Sequence, residues 1–411
     1  MDVAIIGSGI SGLGISYLLN DKFNISLYES NDYIGGHSRT VVIDGIPIDI
    51  GFIVFNFKNY PNLTGLFDHL GVDIVKSDMS FGASVANNWL EYGSKNLTDM
   101  FAQKRNLLRP SFYRMLFDII KFNASALKHV KQNPELSMKE LIRDLGLGKW
   151  CQNYYLLAMA GAIWSSPTKQ ILEFPAQSLI NFFDNHGLLS INDQPQWYTV
   201  NGGSKQYVEK LSAKFKDKIH LKSKVVAVER HKEGVVLLFE DGSQGEFDQV
   251  IFACHSDQAL EIIKHPSKAE IDILGKIKYI ENQVILHKDS SLMPKNKKAW
   301  ASWVYLQEKH EHKQQISLTY WMNNLQPLNT NENYFVTLNP SRTPKDICHS
   351  QTFHHPQFDM NAIKAQKRIQ EIQGQNNTWF CGAWQNYGFH EDGLTSAINL
   401  AQQLGVTSKW T

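Results

Sequence analysis

The chain of 411 residues has only four cysteines, Cys151, Cys254, Cys348 and Cys381, scattered and never paired as CxxC. That usage excludes a disulfide framework and points to a reducing compartment. It also leaves no thiolate zinc site. Fifteen histidines include the doublet His354-His355 but nothing at HExxH spacing, so no metal is expected. No apolar run approaches the ~18 residues that cross a bilayer. The first strand starts at Asp2, which leaves no room for a signal peptide, and a cytoplasmic location is expected. A net charge of +1 excludes a global electrostatic drive toward nucleic acid. Repeats and low-complexity tracts are absent too.

What is present is the composition of an ordinary globular protein, 43% hydrophobic and 20% charged. At roughly 150 residues per domain the length suggests two or three domains. The chain opens on DVAIIGSGISGLG. Val3 to Ile6 reads as a buried parallel strand, Ser11 to Leu19 as a helix, and Asn24 to Glu29 as a second strand. In the turn, Gly7 permits the tight bend, Gly9 the close approach of a pyrophosphate, and Gly12 the packing of helix on sheet. The helix N-terminus then offers unpaired N–H groups to the phosphates. Glu29, at the tip of the second strand, is placed to accept from ribose hydroxyls. Together these predict a dinucleotide site.

After Glu29 an NAD domain would continue into another crossover helix. Here Gly35-Gly36-His-Ser-Arg-Thr40 comes first, and VVIDGIPIDI then reads as a hairpin turning at Asp44-Gly45. A second glycine pair close to the phosphate turn favours FAD over NAD, with Arg39 as a cation for the diphosphate. From 88 to 193 the pattern is helical and irregular, and from 267 to 359 it is rich in aromatics. The βα grammar returns between and after these stretches. The prediction is an α/β protein. Its Rossmann-like FAD-binding domain is assembled from discontinuous segments 1–87, 194–266 and 360–411. A mixed α+β substrate domain comes from the insertions 88–193 and 267–359.

The far end, WFCGAWQNYGFHEDGLTSAINLAQQLG, is a second strand-turn-helix. Leu394, Ala397, Ile398, Ala401 and Leu404 form a helical stripe. Asp392 is expected to N-cap this helix. The N–H groups of Gly393 and Leu394 would then be free for the electron-rich edge of a reduced flavin.

GSGISG, Glu29, GGHSRT, DIGF and GFHEDGL together make the chain resemble the flavin-containing amine oxidase-like superfamily over its whole length. It is similar, more narrowly, to FAD-dependent oxidoreductases found beside cyclopropane-fatty-acid synthases and to the flavin domain fused to plant cyclopropane synthases. GAIWSSP, PQWYTVNGGSKQYV, ACHSDQAL, ASWVY, SLTYWMNNLQ, YFVTLNP and HPQFD carry that likeness. The resemblance implies non-covalent FAD, held by Gly7, Ser8, Gly9, Ser11, Gly12, Glu29, Ser30, Gly36, His37, Arg39 and Thr40. It puts Gly51 and Phe52 near the flavin ring and Val225 at the adenine. Gly382, Ala383, Asp392, Gly393 and Leu394 fall along the ribityl chain and pyrimidine edge. His37 stands where many relatives have the arginine of GGR, and Ala383 where they have an acidic residue, so amine chemistry does not follow from the resemblance alone.

The insertions supply the expected substrate wall: Asn56 beside DIGF, then Trp164, His186, Trp303, Tyr320 and Trp321. Tyr320 and His390 are the candidate proton donors or acceptors. Between Lys104 and Lys131 seven cations face one acid, Asp118, with apolar residues interleaved. That pattern suits either an anionic membrane surface or a domain-packing helix with a basic outer face. Three readings stand open. One is an FAD oxidoreductase that desaturates or reduces the acyl chains of membrane lipids, peripheral on the inner face of the membrane. The second is an amine oxidase releasing peroxide. The third is an accessory flavoprotein serving a cyclopropane-synthase-like methyltransferase.

Overall fold

The computed structural model describes residues 1–164, 168–185, 189, 195–310 and 313–410. A five-stranded sheet takes its strands in the order Ile219–His220, Asn24–Tyr28, Asp2–Ile6, Gln249–Phe252 and Thr378–Phe380, all parallel. The central strand is buried on both faces from Val3 onward, as its unbroken apolar run requires. The helix Ile10–Leu19 is buried along its whole length, because helix and sheet cover it on all sides. The C-terminal helix His390–Gln403 packs beside it. Gly14 makes that approach feasible: an added Cβ there would lie 2.9 Å from Leu394 Cδ1. The first and last segments of the chain therefore build one layer. A three-stranded meander, Val225–His231, Gly234–Phe239 and Gln244–Phe247, completes this part.

The second layer is a seven-stranded sheet. Its order is Ile347–Gln357, Lys278–His287, Phe335–Leu338, Lys313–Trp321, Trp303–His310, Phe81–Val85 and Leu90–Gly93. Leu90–Gly93 lies on the expected side of the boundary drawn at residue 87, and Phe81–Val85 lies across it. Phe81–Val85 pairs in parallel with Trp303–His310, so this stretch belongs to the second sheet. It is buried on both faces and shows no alternation that would have marked its partner. The hairpin at 40–49 forms as expected, with Asp44 and Gly45 both at positive φ.

The helix Pro110–Gln132 turns Phe112, Met115, Ile119, Phe122, Ala126 and Val130 inward against Met138–Asp144 and Ala176–Asn185. Among the described residues no helix is long and apolar enough to cross a membrane.

Candidate active site

A cavity of about 940 Å³ opens at the carboxyl ends of the parallel strands and runs on to the second sheet. That is where an open α/β sheet holds its ligand. Gly7, Glu29, Ala253, Cys254 and Gly382 line one end; Met79, Phe81, Trp303, Tyr320 and Leu338 line the other.

The first glycine turn is built as the sequence implies. Gly7 has φ +101°, and its N–H donates to Tyr28 O at 2.9 Å. A Cβ on Gly12 would lie 1.8 Å from Gly7 O, whereas one on Gly9 would meet no atom within 4 Å. Gly12 is thus required by packing, and the space beside Gly9 belongs to the cavity. Gly36, at φ +56°, lies against Gly9. Glu29 is buried, and its Oε2 accepts from Ser8 N–H (3.1 Å) and Ser8 Oγ (2.5 Å). Its Oε1 accepts from Asn31 N–H, Asn31 Nδ2 and Ser30 Oγ. Ser8, Ser11, Ser30 and Val225 all line this end.

Two expected cofactor contacts fall elsewhere. Arg39 is not in the wall; its guanidinium lies over the Tyr33 ring at 3.8 Å, and Tyr33 is what faces the cavity. Thr40 donates from Oγ1 to Asp49 Oδ1 at 2.5 Å, because its place in the hairpin turns it toward a buried polar cluster.

A group of histidines enters the wall instead. His37, His255, His354 and His355 all line the cavity, and the rings of His37 and His355 stand 5.5 Å apart. Burial and mutual repulsion push His255 and His355 down to about 4 and His37 well below the usual value. Only His37 was anticipated. The His354-His355 doublet was the available signal, but it meets His37 and His255 only once the strand Ile347–Gln357 lies beside the helix start at Ser256.

The C-terminal helix begins three residues earlier than the glycine suggests. Its first residue is His390, and Asp392 is the third helical residue, not the cap. The Asp392 carboxylate accepts from Phe389 N–H (2.8 Å) and Asn386 Nδ2 (2.8 Å). Gly393 N–H is already bonded to Phe389 O at 3.0 Å. Gly393 packs on Ile10, and its carbonyl accepts from Ser11 Oγ at 3.0 Å. Asp392, Gly393 and Leu394 are therefore packing residues outside the cavity wall. Gly388, Phe389 and His390 present this helix end to the cavity, with Gly382 and Ala383 beside them.

Gly51 and Phe52 lie in the wall as expected. His390 stacks on Phe52 with ring centroids 3.8 Å apart. Its Nε2 is 2.6 Å from Tyr207 Oη and 2.9 Å from Ser38 Oγ, and these two hydroxyls bond to each other. Burial pushes His390 down to about 3 and the Tyr207 phenol upward, so both are neutral at working pH. One expected consequence is spectroscopic. The ring-proton resonances of His390 should stay constant from about pH 8 to about pH 5, where an ordinary histidine titrates near 6.5. A midpoint inside that window would show that the imidazole is not buried as described.

Tyr320 and Trp303 meet edge to face at 5.3 Å and both line the cavity. Burial raises the Tyr320 phenol, which keeps it a proton donor. Trp321 faces the other way: its Nε1 donates to Asn333 Oδ1 at 2.9 Å and its ring packs on Trp300. Adjacent residues of a strand point to opposite faces, and here Tyr320 lines the cavity while Trp321 does not. Asn56 is buried but outside the wall, where it accepts from the backbone of Asn59 and Tyr60. Trp164 ends the helix Leu157–Trp164, and its side chain lies outside what is described; so does His186 altogether.

The residues fit FAD. Gly9 leaves room for close approach, Glu29 sits at the second strand tip, and His37 Nε2 is a buried atom in the wall without a partner. Among the described residues no cluster of three or more His, Cys, Asp or Glu side chains is arranged to hold a metal. Residues 10–283 match the model of the flavin-containing amine oxidoreductase family. No curated protein sequence matches significantly. Solved structures similar to this chain include the CLA-producing fatty acid isomerase from P. acnes, at 15% identity and TM-score 0.68 over 98% of both chains. Putrescine oxidase bound to putrescine has 15% identity and TM-score 0.67 over 98% of both. Cyclohexylamine oxidase from Brevibacterium oxydans has 16% and 0.67 over 98% of this chain and 99% of its own. At such identities the structures speak to the fold, while the family match covers two thirds of the sequence and includes the hairpin, Phe52 and Val225. The chain belongs to the flavin-containing amine oxidoreductase family and is an FAD-dependent oxidoreductase.

Proposed function

We propose that the enzyme acts on lipid acyl chains, adding or removing a pair of hydrogens at a carbon–carbon bond. One observation carries this reading. Among the described residues, the inner end of the cavity is walled by Met79, Phe81, Met159, Trp303, Tyr320 and Leu338, without a carboxylate. Among the described residues, the carboxylates of the cavity are Glu29 and Glu261, which lie at the dinucleotide end with Val225 and Val226. An amine arrives protonated and needs its charge paired or removed; a run of methylenes needs only an apolar wall. The similarity to a fatty acid isomerase supports the same class of substrate.

Bound FAD supplies the two-electron chemistry. The chain supplies the rest. Gly9, Glu29 and His37 would hold the cofactor. Phe52, Trp303 and Tyr320 keep water from the inner end. The protonated Tyr320 hydroxyl is placed to orient a bound chain or to give a proton.

The test is anaerobic. Holoenzyme receives phospholipid, free fatty acid or a panel of amines in separate cuvettes, and dithionite-reduced enzyme receives unsaturated lipid. Loss of the visible flavin bands with lipid, or their return in the reduced arm, is the expected result, with acyl chains changed by two hydrogens in the mass spectrum. Bleaching by amines alone would overturn the proposal, as would indifference of both enzyme forms to lipid.

A further inference from the structure

The helix Pro110–Gln132 carries a second apolar stripe that the fold leaves in water. Its inner stripe is buried, but Tyr113, Phe117 and Ile120 point outward at i, i+4, i+7 spacing. Leu107 and Leu108, in the single turn Lys104–Leu108 just before it, add to the same surface. Leu108 is 87% exposed, Phe117 69% and Ile120 53%. Leu107, Leu108, Pro110, Tyr113 and Phe117 surround one shallow depression. Scattered exposed apolar residues need no explanation, but a contiguous group of this kind marks an interaction surface.

Its charge says what covers it. Lys104, Arg105, Arg114, Lys121 and Lys128 are exposed around the stripe. The one acid of the segment, Asp118, is buried and bonded to Arg114 Nε at 2.9 Å and to Gly148 N–H at 2.8 Å. Seven cations of a chain with net charge +1 thus lie in 28 residues, and the remainder is net acidic. Apolar side chains flanked by cations match a bilayer of anionic lipid, where apolar groups enter the acyl boundary and cations meet the headgroups. We infer that this face docks the protein on anionic membranes, with Leu108 and Phe117 inserted and Lys104, Lys121 and Lys128 at headgroup level. Docking of this kind does not depend on the acyl-chain reading; each can fail while the other stands.

The experiment is flotation of full-length holoenzyme with vesicles of phosphatidylcholine alone or mixed equally with phosphatidylglycerol. Wild type should float with the anionic vesicles, weakly with the neutral ones, and less as salt is raised. The double variant Leu108→Asp, Phe117→Asp should lose tenfold or more of the partitioning. Both side chains are exposed, so its flavin spectrum and melting temperature should match wild type. A triple Lys104→Glu, Lys121→Glu, Lys128→Glu variant should lose the preference for anionic lipid. Equal flotation of wild type and double variant, or no flotation of wild type, would overturn the inference. So would a concentration-dependent dimer that the double variant abolishes, since the stripe would then be covered by a second copy.

Discussion

Gly9→Ala is expected to yield a folded protein that loses FAD on purification, while Gly12→Ala yields little folded protein at all. The two glycines are three residues apart in one motif, yet they differ in what surrounds them. A Cβ at Gly12 would sit 1.8 Å from Gly7 O and 2.9 Å from Gly7 C, both backbone atoms that hold the strand-to-helix turn. Relief requires the helix Ile10–Leu19 to move off the sheet, and that helix is buried on every face. Losses of more than about 4 kcal/mol come from such overpacking and backbone conflict. At Gly9 the added methyl meets no protein atom within 4 Å. The apoprotein of Gly9→Ala should therefore melt with the wild-type apoprotein. The methyl occupies the space needed for phosphate approach, so FAD affinity should fall by roughly a hundredfold, about 2.7 kcal/mol. Flavin absorbance per mole of protein and apoprotein melting curves decide both points. A Gly9→Ala protein that retains FAD normally would show that the diphosphate does not lie against this turn.

Asp49→Ala should be the most damaging change outside the motif. Asp49 is 1% exposed at the end of the hairpin. Its carboxylate accepts from Thr40 Oγ1 (2.5 Å), Ser204 N–H (2.9 Å), Ser204 Oγ (2.8 Å) and Gln326 Nε2 (2.9 Å). Asp49 N–H donates to Gln326 Oε1 at 3.0 Å. Gln326 follows the strand Lys313–Trp321, so this cluster ties the hairpin to the seven-stranded sheet. Removing the acceptor leaves several buried donors unpaired, a loss on the order of 3 kcal/mol. Burial raises the Asp49 carboxyl to about 6 against four hydrogen bonds that lower it. The folded value lies above the ordinary 3.8, so the folded state takes up this proton first. The stability it contributes is complete below about 3.8 and is lost as pH rises through about 6. The gap between wild type and Asp49→Ala in denaturant unfolding should thus widen from pH 7 toward pH 5. A gap that narrows would contradict the buried, desolvated placement of the carboxyl.

The dinucleotide end of the site was legible because it is local. Gly7, Gly9, Gly12 and Glu29 lie within thirty residues, and one strand-turn-helix-strand unit fixes their relative positions by backbone geometry alone. The hairpin at Asp44-Gly45 was legible for the same reason, since a two-residue turn admits few residue types. Those patterns, with the family they resemble, were enough to establish the fold class, the cofactor and the reaction class.

What lines the rest of the cavity depended on tertiary pairing. Tyr320 and Trp321 look alike in sequence, and only the register of the strand Lys313–Trp321 turns one inward and the other to Asn333. The strand Phe81–Val85, buried on both faces, carries no alternation to say which sheet it joins. Glycine in the last helix suggested a cap at Asp392, but Asp392 reaches back to Phe389 N–H, and Gly393 is there because Ile10 and Ser11 press against it. The histidines gather from 37, 255, 354 and 355, positions that no local period connects. The two apolar stripes of Pro110–Gln132 are interleaved in sequence, and packing against the neighbouring helices decides which one meets water. Local backbone rules need only neighbouring residues, so the sequence determined the turn, the cofactor and the chemistry they imply. Which side chains share a wall depends on strand register and helix contact between distant segments, and those only the folded chain decided.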